Sequence, residues 1–290
     1  METPAPFFVG DMVPPLDSRT YVSILLRMTH LIELPHRPLA NPSWLPSPES
    51  SPQAYARVAG GIYLLVILFG GFSEGVVMNT LVVSGDMAAT ARNLAGSQAV
   101  WDFSVAGNLI VPLIAVVQLW IEYLLLRPVN RNLAGLFVLL NLASLAVEAV
   151  SKVSLILVKP TLALASRSQA PELAYALATY SLKVHDVAFH ITLMFFGAAC
   201  LVSGFLIHQS RYLPRLVGLL MVAAGLSYLV SSLAVLVAPR VAAILSPAIL
   251  LPALIGESCL CLWLLFKGVK TDLWNQAISQ APLAQAASTV

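Results

Sequence analysis

The chain has 290 residues, of which 58% are hydrophobic and only 10% are charged, and its mean hydropathy is +0.83. Soluble domains carry about 25% charged residues, so this composition excludes an ordinary soluble protein and indicates one that lies in a lipid bilayer. A formal net charge of +2 is too small to predict a nucleic-acid partner. We therefore expect the lipid bilayer as a partner and no nucleic acid.

Residues 1–54 are rich in proline and serine, which predicts a loosely ordered cytoplasmic tail. Within the tail, the apolar residues between Arg19 and Leu34 follow helical spacing and the polar ones take the opposite face, as in a helix that lies in the membrane interface. The alternative is that this stretch is an incidental extension upstream of a true start near Met28.

Six apolar runs are long enough for a helix that crosses a hydrocarbon core of about 30 Å, which takes about 20 residues. They cover residues 58–77, 105–126, 133–158, 183–207, 214–237 and 247–266. The predicted fold class is therefore an all-α polytopic membrane bundle with six transmembrane helices over residues 55–270, followed by a C-terminal tail at 271–290.

The links between the spans predict the orientation. Spans two and three, and spans four and five, are joined by tight links that each carry two arginines, and positive charge marks cytoplasmic loops. Both chain termini should then be cytoplasmic, in a multi-pass protein of a cell membrane. On the outer side, Asp86 is placed to cap a short helix from Met87 to Gly96, and a second sizeable loop is expected between Lys159 and Tyr180.

The fourth span holds the densest group of ionisable residues, and such groups inside a bilayer are usually paired, inward-facing and tied to a site. At about 100° per residue, Asp186 and His190 share a stripe with Lys183, whereas His185 points to the opposite side. We expect Asp186 and His190 to form an inward carboxylate and imidazole pair. His185 should face a neighbouring helix or the headgroups.

Other spans carry polar groups at a similar predicted depth. Glu148 and Lys152 on span three have the i,i+4 spacing of a favourable ion pair, and Glu257 on span six is expected either to reach Lys152 or to stay protonated. The predicted pocket lies in the outer half of the bundle. Its candidate residues are Glu148, Asp186, His190, Glu257, Lys152, Glu74 and Asn141.

The remaining polar and small residues of the spans are interpreted as structural. Gln118 and Glu122 belong to the inner half of span two and are expected to pair with the basic turns. The glycines at which we expect close helix packing are Gly60, Gly61, Gly70 and Gly71 on span one and Gly197 and Gly204 on span four.

Three functions stay open on these observations. The first is a non-enzymatic bundle that binds or moves a small solute or a proton without a cofactor. The second is an intramembrane, metal-dependent hydrolase acting on lipid, in which His190, Asp186, Glu148 and Glu257 hold a transition metal. The two histidines of span four are five residues apart, which is a poor spacing for ligands on one helix. The third is a membrane assembly factor whose polar groups only hold the bundle together.

Short motifs between residues 57 and 269 are similar in order and content to those of a known family. They are Gly60-Gly-Ile-Tyr-Leu-Leu65, Gly85-Asp-Met-Ala-Ala-Thr-Ala91, Pro128-Val-Asn-Arg-Asn-Leu-Ala134, Phe195-Phe-Gly197, Tyr212-Leu-Pro-Arg-Leu-Val-Gly218, Leu251-Pro-Ala-Leu-Ile-Gly-Glu257 and Trp263-Leu-Leu-Phe-Lys-Gly268. In these the chain resembles an uncharacterised family of bacterial multi-pass membrane proteins, a domain of unknown function. The resemblance implies an all-helical domain of the bacterial inner membrane and no particular activity. Members of that family often carry a basic residue near the position of Asn141.

Overall fold

The computed structural model describes residues 50–245 and 248–287, with side chains as far as residue 280. The predicted interfacial helix at 19–34 therefore lies outside the described residues. In the described ranges every regular element is a helix, and six of the helices are long and apolar enough to cross a membrane, which confirms the predicted fold class. Spans one to six are Pro52–Leu81, Gln98–Leu126, Arg131–Ala165, Glu172–Gln209, Arg215–Val237 and Ala248–Lys267.

Several spans are longer than their apolar runs. Span four begins at Glu172 rather than at Lys183, and span three continues to Ala165, so the outer loop predicted between Lys159 and Tyr180 shrinks to residues 166–171. Hydropathy detects only the part of a helix that faces hydrocarbon, whereas the i to i+4 hydrogen bonds continue through flanking polar residues. The residues predicted as a C-terminal tail also form a helix, Thr271–Ala287, which buries Trp274.

The six spans form a ring in chain order, in which each span packs against the next and span six returns to span one. An apolar cluster that includes Leu125, Ile207 and Leu264 fills the end of the ring near the arginine-rich links. A smaller cluster that includes Trp101 and Leu155 fills the opposite end. The polar residues of the spans meet between these two clusters.

Glycines let spans four and five approach closely. A Cβ atom built on Gly197 would lie 2.9 Å from the carbonyl oxygen of Gly225, and one built on Gly204 would lie 2.7 Å from that of Gly218. Helices in lipid associate through such close packing of small residues. The predicted packing role is confirmed for Gly197 and Gly204, and also for Gly60, where a Cβ would lie 2.4 Å from the backbone nitrogen of Leu265.

The two ends of the ring are closed by local hydrogen bonds. At the end with the arginine-rich links, Gln53 donates to the carbonyl of Lys267 at 2.7 Å and accepts from the backbone N–H of Val269 at 3.0 Å, which ties span one to span six. At the other end Asp86 accepts from the N–H of Ala89 at 2.8 Å, and the helix begins at Met87 as predicted.

Tyr212 anchors the link between spans four and five. Its hydroxyl donates to the carbonyl of Leu125 in span two at 2.6 Å, and its own carbonyl accepts from the N–H of Lys270 at 3.1 Å. Burial raises the pKa of the Tyr212 phenol, so the hydroxyl stays protonated and remains a donor at working pH. Through its side chain and its backbone, this one residue therefore joins three parts of the ring.

Candidate functional site

A cavity of about 340 Å³ lies inside the ring and is lined by residues from all six spans. Most of its wall is apolar or aromatic, and its polar lining includes four glutamates, one from each of spans one, two, three and six. Along span two the lining extends from Asn108 to Glu122, which is about 21 Å at about 1.5 Å per residue. The cavity is therefore elongated along the bundle, and its acidic residues are Glu74, Glu122, Glu148 and Glu257.

A π-helical turn in span one positions the first of these acids. Residues Gly71–Val77 form the turn, with Glu74 in its middle, while Ser73 is buried against span two. A π-turn takes one more residue per hydrogen-bonded turn than an α-helix and is frequent at functional sites. Gly70 and Gly71 line the cavity beside it, and a Cβ on either would meet no atom within 4 Å. These two glycines, which were predicted to be packing points, instead leave space open, so that prediction is wrong.

At the Glu74 end of the cavity, four ionisable side chains from spans one, three and four form an ion cluster. The ammonium of Lys152 lies 3.2 Å from a carboxylate oxygen of Glu74 and 3.5 Å from one of Glu148. His185 Nε2 lies 3.4 Å from both oxygens of Glu74. Lys152 and His185 are almost fully buried, whereas the side chains of Glu74 and Glu148 keep 23% and 19% of their surface exposed. The two carboxylates therefore face the cavity and the two bases stand behind them.

The ring of Phe189 lies beside the two bases of this ion cluster and also lines the cavity. Its centroid lies 5.7 Å from the Lys152 ammonium and 6.2 Å from the imidazole of His185. The Nδ1 atom of His185 is buried and has no hydrogen-bond partner among the described residues. A cation over an aromatic face is stabilised by the ring quadrupole, so Phe189 adds to the stabilisation of Lys152.

Farther along the cavity two glutamates lie without a cation. Tyr228 donates a short hydrogen bond to Glu257, and Gln118 donates to Glu122 at 2.9 Å. Neither carboxyl forms an ion pair with any side chain in the described part of the chain. The Oε1 atom of Gln118 is buried and lacks a hydrogen-bond partner within the same residues. We call Glu122, Glu257 and Gln118 the acceptor subsite.

Neutral hydrogen bonds satisfy the buried polar side chains near the cavity. Asn108 donates a short hydrogen bond to Ser73, whose hydroxyl lies 2.6 Å from that of Ser104. On the neighbouring span three, Asn141 donates to the carbonyl of Phe137 at 3.2 Å. Buried polar groups are costly unless they are hydrogen-bonded, so these bonds stabilise a polar surface inside an apolar bundle.

Comparison with known proteins identifies the family and no relative of known activity. The family described as a domain of unknown function, DUF4386, matches residues 58–268. The chain belongs to the DUF4386 family. No protein of curated function and no solved structure matches it. The matched range ends at Gly268, just past span six, so the DUF4386 domain contains the whole cavity and excludes the C-terminal helix.

The DUF4386 domain brings together five of the seven candidate residues. Glu148 and Lys152 are paired, as their i,i+4 spacing predicted. Four of the five line the cavity, and Lys152 lies directly behind two of them; the lining residues are Glu74, Asn141, Glu148 and Glu257. Of the two alternatives predicted for Glu257, contact with Lys152 is wrong, because its partner is Tyr228 on the neighbouring span five. The other alternative, a protonated carboxyl, stays a prediction.

Asp186 and His190 are placed differently from the prediction. They do approach each other, with His190 Nε2 3.8 Å from a carboxylate oxygen of Asp186, but 66% of the Asp186 side chain is exposed and neither residue lines the cavity. His185, predicted to lie off the site, is the buried residue of span four and contacts Glu74. In this part of span four Asp186 therefore faces outward and His185 inward, opposite to the prediction, whereas His190 is only 15% exposed but lies outside the cavity.

The prediction from sequence did not include the inner part of the cavity in the DUF4386 domain. Gln118 and Glu122 do not pair with the basic turns; they hydrogen-bond to each other and line the cavity, which extends beyond the predicted outer half. Their i,i+4 spacing on an apolar helix was the available signal, since two polar groups so placed share a face. Tyr228 was also missed, because a single tyrosine in an apolar span is indistinguishable from a packing residue.

The donors of a metal site are not assembled within the described residues. No group of three or more histidine, cysteine, aspartate or glutamate side chains there has the arrangement that holds a metal ion. In particular, Asp186 and His190 stand outside the cavity that Glu148 and Glu257 line. The ligand set suggested for a lipid hydrolase is therefore divided between two places.

Proposed function

We propose that this DUF4386 protein is a non-enzymatic membrane protein that binds a small solute in the central cavity as a step in moving it across the membrane. The observation that carries the proposal is the convergence of four carboxyl groups from four spans on one mainly apolar cavity. Pockets for small molecules have volumes of about 300 to 1,000 Å³, with apolar walls and a few placed polar groups. Ionisable residues that face a cavity inside a membrane domain are characteristic of solute and proton pathways.

The ion cluster supplies a place for proton exchange beside the solute. Two carboxylates, Glu74 and Glu148, stand against one lysine, Lys152, so these three side chains carry one excess negative charge when both carboxyls are ionised. A proton taken up within the ion cluster balances that charge. Because an uncompensated charge in low dielectric is costly, arrival of a charged solute and proton transfer at this cluster are expected to be coupled.

The orientation belongs to the same proposal. We place the protein in a bacterial inner membrane with both termini in the cytoplasm, because four arginines lie in or next to the links at one end of the ring: Arg127, Arg131, Arg211 and Arg215. A fluorescent protein fused to the C-terminus should fold and fluoresce on the cytoplasmic side. An alkaline phosphatase fusion at the same point should be inactive, and the opposite pattern contradicts this orientation.

Ligand-induced thermal stabilisation tests solute binding. The full chain in lipid nanodiscs is unfolded by heating in the presence of a panel of small cations, anions and neutral solutes, since a ligand that binds only the folded state raises Tm. At least one class of solute should raise Tm. The variant Gly70→Leu, whose new side chain starts from an open position in the cavity wall, should abolish that rise.

Gly75→Leu is the matched control. Gly75 lies farther along span one, in the π-turn, and has no atom within 4 Å of a built Cβ, but it does not line the cavity. It should keep the response of the unsubstituted protein. The proposal fails if no class of solute raises Tm, or if the rise survives Gly70→Leu.

A further inference from the structure

We propose that the solute is a protonated organic amine with an apolar body, whose ammonium group binds at the acceptor subsite of Glu122, Glu257 and Gln118. This inference rests on the proposed solute-binding function and names its ligand class. Its geometric basis is that the acceptor subsite presents hydrogen-bond acceptors without a cation, in a cavity that is otherwise apolar and aromatic.

The two ends of the cavity differ in whether a cation of the protein accompanies their carboxyl groups. At the ion cluster, Lys152 contacts both carboxylates and balances one of their two charges, so a cationic ligand gains less there than at a site that has no cation of its own. At the acceptor subsite neither Glu122 nor Glu257 forms an ion pair in the described part of the chain. A buried carboxyl group in such surroundings is neutral or is matched by a cation, and a ligand cation supplies that match.

The amide of Gln118 points to a ligand that donates hydrogen bonds. The residue is 8% exposed and lines the cavity, and its Nε2 is used by Glu122 while its Oε1 has no partner among the described residues. A buried acceptor left without a donor costs about 1 to 3 kcal/mol. An ammonium N–H satisfies this oxygen, whereas a quaternary ammonium, an ether or a carboxylate does not.

Aromatic rings around the acceptor subsite fit the rest of the ligand. Tyr63, Phe196 and Tyr228 line the cavity, and the rings of Phe196 and Tyr228 pack with their centroids 5.5 Å apart. Aromatic faces attract an ammonium through their quadrupole and also bury an apolar body. The ligand class is therefore a small lipophilic amine, with its charge towards Glu122 and Glu257.

Small probe molecules that share a phenyl ring on a short chain and differ in their head group test this assignment. Phenethylamine, phenethyl alcohol and phenylacetate are titrated into the full chain in nanodiscs, and binding is measured by calorimetry and by the rise in Tm. Phenethylamine should bind at least tenfold more tightly than the other two. N,N,N-trimethylphenethylammonium, which has the charge but no N–H, should bind more weakly than phenethylamine, and Gln118→Leu should narrow that difference.

Substitutions at the acceptor subsite locate the ammonium. The double variant Glu122→Gln with Glu257→Gln keeps the shape of both side chains and should weaken phenethylamine binding at least tenfold. If the double variant does not fold, each single variant should weaken binding at least threefold. Glu172→Gln, at the exposed start of span four, is the control for removing an acid and should leave binding unchanged.

The outcomes separate the ligand class from the proposed function. If phenethyl alcohol or phenylacetate binds as tightly as phenethylamine, and Gly70→Leu abolishes that binding, the cavity binds solutes but the ammonium assignment is overturned. The ammonium assignment is also overturned if the double variant Glu122→Gln with Glu257→Gln binds phenethylamine as tightly as the unsubstituted chain does. It is overturned as well if the unsubstituted chain does not bind phenethylamine. The solute-binding function itself is refuted only by the broader panel of cations, anions and neutral solutes, if none of them raises Tm or if the rise survives Gly70→Leu.

Discussion

Replacing Lys152 with methionine removes the buried cation of the ion cluster while it keeps an unbranched side chain of similar length. The substitution leaves Glu74 and Glu148 without the ammonium that lies 3.2 and 3.5 Å from them. We expect a large loss in the free energy of unfolding, because two carboxylates are then left without the cation that they share. The comparison is Lys159→Met on the same span, which removes a salt bridge to Asp102.

The size of the effect follows from burial rather than from distance. With an effective dielectric constant near 20, each contact of Lys152 is worth about 5 kcal/mol before the desolvation of the charges is counted. Desolvation offsets much of this, and removal of one member of a buried pair typically costs about 3 to 5 kcal/mol. We expect Lys152→Met to lower the free energy of unfolding by about 3 kcal/mol, the lower end of this range. The reason is that both glutamates keep about a fifth of their side-chain surface exposed. Lys159 lies 2.6 Å from Asp102, but the two side chains are 41% and 57% exposed, so Lys159→Met should cost less than about 1 kcal/mol.

Unfolding by sodium dodecyl sulfate in mixed micelles, followed by tryptophan fluorescence, measures both losses. Adding Glu148→Gln to Lys152→Met should restore part of the stability, because it removes one uncompensated charge from the ion cluster. A loss for Lys152→Met no larger than that for Lys159→Met would refute the reasoning, since the charges would then be solvated rather than buried. Failure of Glu148→Gln to restore any stability would show that the lysine acts through packing alone.

Two further predictions concern the scaffold. Gly225→Ala should destabilise the bundle by about 1 to 3 kcal/mol in the same unfolding assay, because the added Cβ would lie 2.5 Å from the carbonyl oxygen of Gly197. The control is Gly75→Ala, whose Cβ would meet no atom within 4 Å and which should leave the stability unchanged. Equal effects of the two alanines would contradict the close approach of spans four and five. Asp86→Ala should remove the N-cap of the helix Met87–Gly96 at a cost of about 1 kcal/mol. Amide hydrogen exchange should then become faster in that helix and nowhere else. Unchanged exchange in the helix would contradict the capping role of Asp86.

Interactions between residues close in sequence could be predicted because helix geometry determines them. Glu148 and Lys152 are one turn apart on the same face, and Asp86 stands just before a run of helix-forming residues, so both contacts follow from local spacing. The same geometry placed Asp186 and His190 together on one side of span four and His185 on the other. It could not show which side faces inward, because a rotation of a helix about its own axis leaves every local spacing unchanged.

The sequence by itself determined that this is an all-helical chain with six apolar spans, because the transfer of side chains into lipid depends on composition and length more than on neighbours. Only the tertiary structure decided which polar groups meet. Glu74 reaches His185, 111 residues away, because the π-turn at Gly71–Val77 aims it at spans three and four. Glu257 meets Tyr228 rather than Lys152 because span six packs between spans five and one in the ring. These contacts depend on the order and rotation of whole helices, which no local pattern of residues encodes.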